Sequence, residues 1–213
     1  MSTDNDIILF GGSFDPIHNG HLAMACFARD RLAAGRVVFV PAARSPLKRN
    51  PPDACGEDRI EMVRLGIQGI AGFEVSDIEM HRPEPSYTID TINHFRSVYG
   101  EAIRIYWLIG ADALKDLPLW YRIEQLVERC QLCVMYRAGH ELPRLDGLRA
   151  FFSKEQIDRL AGHIIKTPLV DISSTQVRGL LRQGESVSEM IPEGVLSYIR
   201  QKKLYGILNE REV

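Results

Sequence analysis

The chain has 213 residues, of which 45% are hydrophobic and 25% are charged, and its formal net charge is -2. This composition is close to the average of globular domains and excludes a disordered chain, a collagen and a coiled coil. So small a net charge gives no general attraction to nucleic acid or anionic lipid, and no apolar run approaches the roughly 20 residues that cross a bilayer. Because the first residues also lack a secretory signal, the sequence predicts a cytoplasmic protein whose partners are neither nucleic acid nor a membrane.

Short apolar runs alternate with segments of helical periodicity along most of the chain. The predicted strands are residues 7–10, 37–40, 73–75, 103–109, 132–136 and 163–166, and the predicted helices between them are residues 22–33, 57–70, 87–98 and 123–128. Strands rich in Val, Ile and Tyr that alternate with helices indicate a mainly parallel sheet covered on both faces. Since crossovers between parallel strands are right-handed, we predict an α/β fold with a Rossmann-like, doubly wound sheet.

Two segments lie outside this alternation. Residues 42–56 are rich in proline and basic side chains, which predicts a long loop at the carboxyl end of the second strand. Residues 168–213 are mainly helical, with one helix beginning at Ser173 and another running from Pro192, at its first helical position, to about Lys203. We therefore predict a single domain, 1–213, in which residues 168–213 form a small C-terminal helical appendage without its own core.

The turn after the first strand carries the strongest chemical signal. Gly11 and Gly12 let the backbone approach a ligand, but the turn is neither a dinucleotide fingerprint nor a P-loop. His18 and His21 lie three residues apart at the start of the next helix, so their imidazoles share one face at its positive end. This pattern favours a polyphosphate site. Structural histidines and an HxxH metal pair, without an obvious third ligand nearby, stay open as alternatives.

A second cluster, Ile-Ser-Ser-Thr-Gln-Val-Arg at 172–178, follows the last predicted strand. Ser173 and Gln176 fit a capping box, which predicts a helix start with three hydroxyls and with backbone N–H groups that point outward. Arg178 lies one turn further into this helix. An ordinary capped surface helix explains the capping box alone, but it does not explain a second anion-binding helix start after another strand of the sheet.

The two clusters together resemble a known superfamily. GGSFDPIHNGH at 11–21 and ISSTQVR at 172–178 are similar to the paired HxGH and ISSTxxR signatures of the nucleotidylyltransferases. Within that superfamily the chain resembles the bacterial nicotinate mononucleotide adenylyltransferases throughout its length, including SPLK at 45–48, PSYT at 85–88 and LPLWYR at 117–122. The resemblance implies adenylyl transfer from ATP to nicotinate mononucleotide in NAD biosynthesis, with Mg²⁺ bound to ATP and no resident metal.

The resemblance also implies roles for individual residues. His18 and His21 would act on the α and β phosphates, and Lys48 and Arg178 on the β and γ phosphates. The other ATP-binding residues that it implies are Gly11, Gly12, Ser13, Phe14, Gly110, Asp112, Ser173, Ser174 and Thr175. Those that it implies for the mononucleotide are Tyr87, Thr88, Trp120, which would stack on the pyridine ring, and Tyr121, whose N–H would help hold the carboxylate.

Spacing alone leaves blander interpretations open for several of these residues. Lys48 is typical of a solvated lysine, and Asp112 of a helix cap. Ser86 is expected to cap the helix whose first N–H groups could receive the nicotinate carboxylate, or to be a plain N-cap. Cys130 and Cys133 form a single CxxC pair at the start of an apolar strand, which predicts buried, inert thiols.

Three other functions compete with the implied reaction. One is another HxGH transferase, such as phosphopantetheine adenylyltransferase. The second is a nucleotide sensor without catalytic activity, and the third is a metal-binding protein that uses His18, His21 and His81. No Ser-His-Asp or Cys-His arrangement points to a covalent intermediate, and the sequence leaves a homo-oligomer open.

Overall fold

The computed structural model describes residues 6–48, 50–137, 141–168 and 170–207. The strands in this part of the chain are β1 (Ile7–Gly12), β2 (Arg36–Pro41), β3 (Phe73–Val75), β4 (Ile105–Gly110), β5 (Gln131–Arg137) and β6 (Ile164–Thr167). They form one parallel sheet in the order β3-β2-β1-β4-β5-β6. The strand order reverses between β1 and β4, as in a doubly wound sheet. The predicted Rossmann-like α/β fold is therefore confirmed.

The helices connect these strands and follow the last one. They are α1 (Asn19–Leu32), α2 (Gly56–Gly66), α3 (Thr88–Tyr99), α4 (Ile123–Arg129), α5 (Lys154–Gly162), α6 (Ser174–Gln183) and α7 (Glu193–Lys202). Short 3₁₀ helices cover Ile78–His81, Ala111–Leu119, Asp146–Leu148 and Leu204–Gly206. The predicted helix at 57–70 ends early, because Gly69 has a φ of 81° that a helix cannot contain. Pro192 is the N-cap of α7 and not its first residue.

Two separate cores cover the two faces of the sheet. Successive strand side chains point to opposite faces, so Ile8 and Phe10 pack into one core and Ile7 and Leu9 into the other. Helices α1, α2, α6 and α7 cover the first face, and α3, α4 and α5 cover the second. Buried side chains of α6 and α7 join the first core beside those of α1 and α2; they are Val177, Leu181, Val195, Leu196 and Ile199.

The CxxC pair lies where α4 meets β5. Cys130 and Cys133 are buried free thiols, as the sequence predicts. Burial raises the pKa of Cys133 to about 12 and also raises that of Cys130. Both groups are therefore neutral near pH 7, which is typical of packed side chains and not of reactive thiolates.

Within the described ranges, 6–207 apart from residues 49, 138–140 and 169, there is no helix with both the length and the apolar character needed to cross a membrane.

Candidate active site

A cavity of about 570 Å³ opens at the carboxyl ends of β1 and β4. Ligands of doubly wound sheets bind at this position, because the strand order reverses there and leaves a crevice. The predicted site residues that line the cavity are Gly11, Gly12, Ser13, Lys48, Tyr87, Thr88, Gly110, Asp112, Trp120 and Tyr121. The remaining predicted residues lie outside this lining; they are Phe14, His18, His21, Ser173, Ser174, Thr175 and Arg178.

Packing, and not a tight turn, explains Gly11. Both Gly11 and Gly12 are still part of β1, and neither has a positive φ. A Cβ atom on Gly11 would overlap the indole ring of Trp107, and one on Gly12 would lie 3.0 Å from the Phe14 ring. The sequence interpretation of these glycines as turn residues is therefore wrong, although both line the cavity.

His18 and His21 cap α1 with their own side chains. His18 is the N-cap residue, and its Nδ1 accepts a hydrogen bond of 3.3 Å from the His21 backbone amide. In return, Nδ1 of His21 accepts from the His18 amide, also at 3.3 Å. This is a capping box in which two imidazoles replace the usual hydroxyl and carboxylate. The structural role that the alternative interpretation gives to His18 and His21 is therefore present. It does not conflict with the predicted polyphosphate role, because the capping bonds use only Nδ1 of each ring.

The capping box also fixes the tautomer of both rings. Because each Nδ1 accepts a hydrogen bond, each imidazole carries its proton on Nε2. The two rings are stacked with their centroids 3.7 Å apart, and Phe14 packs edge-on against His21 at 5.1 Å. His18 is only 5% exposed. The pair therefore presents two Nε2 donors in a fixed orientation at the positive end of α1.

The start of α6 packs against the loop that leads into α1. Ser173 caps α6 by accepting from the Gln176 amide at 3.2 Å, which is one of the two bonds of the predicted capping box. The hydroxyl of Ser174 donates to the Pro16 carbonyl at 2.9 Å, and Arg178 Nη1 donates to the Asp15 carbonyl at 2.7 Å. The HxGH and ISSTxxR segments are therefore neighbours, although more than 150 residues separate Pro16 from Ser174 in the chain.

Arg178 is engaged by carboxylates in this structure. Its Nε lies 3.2 Å from Asp53 Oδ2, and its Nη1 lies 3.8 Å from Asp15 Oδ2. Arg182, one helical turn later, also pairs with Asp53. Since Asp53 lies in the predicted basic loop, these ion pairs join that loop to α6.

Lys48 is a second cationic side chain of the predicted site, and it lines the cavity. Its Nζ donates a hydrogen bond of 3.0 Å to the Ser13 hydroxyl, directly after β1. Three exposed apolar side chains also line the cavity; they are Leu47, Leu119 and Tyr121. A lysine and apolar groups in one entrance suit a ligand that combines anionic and planar parts.

The far end of the cavity is aromatic. Trp120 follows the 3₁₀ helix Ala111–Leu119, and its Nε1 is buried without a hydrogen-bond partner among the described residues. The Tyr87 and Tyr121 rings are 4.3 Å apart at an interplanar angle of 33°. The N-cap of α3 is Tyr87, which makes no side-chain capping hydrogen bond, and both Tyr87 and Thr88 line the cavity.

The prediction that Ser86 caps α3 is wrong. Its hydroxyl instead accepts a hydrogen bond of 3.1 Å from the Ala43 amide, in the loop after β2. The Ser86 amide donates to the Arg44 carbonyl of the same loop at 2.9 Å. Sequence spacing could not reveal this, because the partner lies about 40 residues earlier in the chain.

Arg59 holds the loops around the cavity and was missed by the sequence analysis. It is 2% exposed and donates to the carbonyls of Ala54, Ser13 and Ala42 at 3.2, 2.9 and 2.7 Å. Burial lowers the pKa of its guanidinium, and the Asp15 carboxylate opposes that effect. Its position could have been recognised, because Arg59 shares the buried face of α2 with residues three and four positions later.

Asp15 is a second buried group that the sequence did not single out. Its carboxylate accepts from the amides of Asp53 and Ala54 at 2.7 and 3.1 Å and from the Tyr205 hydroxyl at 2.8 Å. This one side chain thereby joins the HxGH turn, the start of α2 and the residues after α7.

No metal centre is formed by the residues that the structure describes. Among them, no three His, Cys, Asp or Glu side chains lie in a group that could hold an ion. His81, the third histidine of the metal alternative, instead pairs with Asp77 at 3.1 Å.

Comparisons with known proteins agree with this geometry. The cytidylyltransferase-like family model matches residues 9–180. A protein of Gloeobacter violaceus named probable nicotinate-nucleotide adenylyltransferase is 41% identical over 93% of this chain and 95% of its own length. One of Moorella thermoacetica with the same name is 37% identical over 92% and 90%.

A solved structure shares the fold. Plasmodium falciparum nicotinic acid mononucleotide adenylyltransferase, complexed with NaAD, superposes with a TM-score of 0.71 at 17% identity over 96% of this chain and 98% of the other. At that identity the likeness concerns the fold alone. The family follows from the sequence matches: the chain belongs to the cytidylyltransferase-like family and, within it, to the nicotinate-nucleotide adenylyltransferases.

Proposed function

We propose that the protein transfers the adenylyl group of ATP to nicotinate mononucleotide and releases pyrophosphate. The observation that carries this proposal is the junction of the HxGH turn with the start of α6, beside the cavity at the strand-order reversal. Two helix starts that meet at this junction suit a triphosphate, because the first amides and the positive end of each helix favour an anion. The aromatic far end of the same cavity suits a pyridine ring.

The triphosphate half of the site needs no general base. The attacking 5′-phosphate oxygen is already ionised near neutral pH, so catalysis rests on alignment and on donors aimed at developing negative charge. We assign the Nε2 donors of His18 and His21 to the α and β phosphates. Lys48 and Arg178 would serve the β and γ phosphates, and the amides and hydroxyls of Ser174 and Thr175 would close the site.

Arg178 reaches a phosphate only by giving up carboxylate contacts. In the described structure its guanidinium is shared between Asp15 and Asp53. An incoming triphosphate would compete with Asp53 for the Arg178 guanidinium. The loop that contains Asp53 would then move when the ligand binds. Lys48 would likewise exchange the Ser13 hydroxyl for a phosphate oxygen.

The mononucleotide half would bind through stacking and backbone donors. Trp120 would stack on the pyridine ring, which by analogy with base stacking contributes roughly 1 to 3 kcal/mol. The nicotinate carboxylate would accept from N–H groups near Tyr87 and Thr88 and from the Tyr121 amide. Since an amide substrate would turn an NH₂ group toward such donors, the site should prefer the acid.

ATP-dependent nucleotidyl transfer uses a divalent cation, and we propose Mg²⁺, carried on the triphosphate by phosphate oxygens and water. We also propose that residues 168–213 belong to the same domain as the sheet, because α6 and α7 share a core with α1 and α2. The cytoplasmic location and the oligomeric state stay predictions from the sequence.

Pyrophosphate release from ATP and Mg²⁺ tests the proposal when three acceptors are compared in parallel. Nicotinate mononucleotide should be used at least tenfold faster than its amide, a difference of about 1.4 kcal/mol. Phosphopantetheine should not be used. Faster turnover of phosphopantetheine would make the protein a different HxGH transferase, and ATP binding without pyrophosphate release would make it a nucleotide sensor.

A further inference from the structure

Glu79 is a buried acid in the cavity wall that no step above uses. It lies on the 3₁₀ helix Ile78–His81, is only 4% exposed and lines the cavity. Burial raises the pKa of its carboxyl, an effect that the hydrogen bond from Thr91, the nearby Ser86 hydroxyl and the charge of Arg82 oppose. A buried ion pair is weakly stabilising at best, so its presence calls for a geometric reason.

The hydrogen bonds of Glu79 lead to α3. Thr91 Oγ1 donates to Glu79 Oε1 at 2.6 Å and accepts from Arg82 Nη2 at 2.5 Å. Arg82 Nη2 also lies 3.5 Å from the same carboxylate oxygen. A threonine hydroxyl has one proton to donate and lone pairs that accept, so Thr91 can make both hydrogen bonds at once.

A second branch leads to the loop after β2. Ser86 lies close enough to Glu79 to lower the pKa of its carboxyl, and the Ser86 hydroxyl oxygen accepts a hydrogen bond of 3.1 Å from the Ala43 amide. Its own amide donates to the Arg44 carbonyl at 2.9 Å. The same loop carries Lys48, whose ammonium group donates to the Ser13 hydroxyl at 3.0 Å.

Glu79 therefore lies between α3, to which Thr91 joins it, and Ser86, whose hydrogen bonds lead to the loop after β2. The α3 branch fixes the segment that presents Tyr87 and Thr88, and the Ser86 branch fixes the loop that presents Lys48. We propose that Glu79 is a positioning residue, which keeps these two walls at one separation so that both substrates bind in register. This inference rests on the proposed function, because it assigns one wall to each substrate.

Two variants disrupt this network with little change in side-chain shape. Thr91→Val deletes the hydroxyl between Arg82 and Glu79, and Glu79→Gln removes the charge. Each should raise the KM of both ATP and nicotinate mononucleotide by roughly tenfold, the effect of one lost hydrogen bond to a charged group, while kcat changes much less. Thr91→Ser, which keeps the hydroxyl, should restore both KM values.

Tyr198→Phe is the matched control for a lost hydroxyl. Tyr198 donates to Asp58 at 2.8 Å, on α7 and away from the cavity lining. This variant should change the midpoint of thermal unfolding without changing either KM. Thermal unfolding of all variants distinguishes a variant that fails to fold from one that folds but binds its substrates more weakly. Glu79→Gln provides the test if Thr91→Val fails to fold.

The outcomes distinguish the inference from the function on which it rests. Wild-type protein that releases no pyrophosphate with nicotinate mononucleotide would overturn the function. An active wild type whose folded Thr91→Val and Glu79→Gln variants show unchanged KM values, a rise for one substrate only, or a fall in kcat alone would overturn the inference.

Discussion

His18 and His21 have a structural task as caps of α1 and, in the proposed function, a chemical task as well. Each Nδ1 caps α1, and the cap leaves the proton on Nε2, where it can be donated to an anion. A lost N-cap costs about 1 kcal/mol of unfolding free energy. His18→Ala would therefore lower stability and turnover together, and the two effects could not be separated. Asparagine separates the two, because its Oδ1 can replace Nδ1 as the cap acceptor but offers no donor where Nε2 lies.

His18→Asn should lower turnover by roughly 10²- to 10³-fold, the effect of removing one transition-state donor. The free energy of unfolding should change by less than about 0.5 kcal/mol, because asparagine is a preferred N-cap residue. Steady-state pyrophosphate release and urea unfolding measure the two effects. His94→Asn, on α3 and outside the cavity lining, is the control and should keep wild-type turnover; full turnover of His18→Asn would contradict the assigned role.

The four cysteines should differ in reactivity according to burial. Cys55 is exposed and should react with a thiol reagent in the folded protein at pH 8. Burial raises the pKa of Cys133 to about 12, so at pH 8 it is protonated and unreactive, and Cys130 should behave in the same way. Mass spectrometry of labelled peptides before and after unfolding checks this, and labelling of Cys130 or Cys133 in the folded state would contradict it.

At the scale of elements, strands were easier to predict than helix ends. Apolar runs of β-branched residues place all six strands to within a few residues, because a buried parallel strand needs little else. The sequence analysis missed α5, although Ser153 and Gln156 form a complete capping box at its start. The 3₁₀ helix Ala111–Leu119, which contains Pro118, was not predicted either.

Long-range partners explain the remaining errors. Ser86 is of a residue type that often caps helices, but its hydroxyl accepts a hydrogen bond from the loop after β2. Gly11 was interpreted through backbone freedom, while its actual constraint is the Trp107 ring on a neighbouring strand. Both facts depend on contacts across the sheet, and a local pattern does not contain them.

Arg59 on α2 should contribute far more to stability than Arg64 on the same helix. Arg59→Leu leaves the carbonyls of Ser13, Ala42 and Ala54 without their donor, which should cost about 3 kcal/mol of unfolding free energy. Arg64 is exposed and pairs only with nearby Glu61 among the described residues, so Arg64→Leu should cost less than about 0.5 kcal/mol. Urea unfolding measures both, and equal losses would contradict this assignment.

At the scale of the whole molecule, the two ends of the chain converge on one edge of the sheet. The sequence suggested this convergence, because the HxGH and ISSTxxR motifs are paired signatures of one superfamily. The contacts that carry it were not predictable from spacing: Tyr205 with Asp15, Ser174 with Pro16, and the arginines of α6 with Asp53. Local pattern pointed to His18, His21 and the helix start at Ser173, and the resemblance supplied the other predicted site residues. The buried groups Arg59, Asp15 and Glu79 came only from the fold.

Because α7 shares its core with α1 and α2, the helical appendage should unfold together with the sheet. Ile199→Ala should lower the unfolding free energy by about 2 to 4 kcal/mol, the range for a fully buried isoleucine. Circular dichroism and tryptophan fluorescence should then report the same transition. Val98→Ala, at an exposed position on α3, is the control with little expected effect; a separate early transition of the helices would contradict a single domain.

A crystal structure with a non-hydrolysable ATP analogue and Mg²⁺ tests the convergence most directly. We expect one triphosphate within hydrogen-bond distance of Nε2 of His18 and His21 and of the amides of Ser174 and Thr175. A triphosphate that contacts only one of these two segments, or that lies outside the cavity at β1 and β4, would contradict the proposed site.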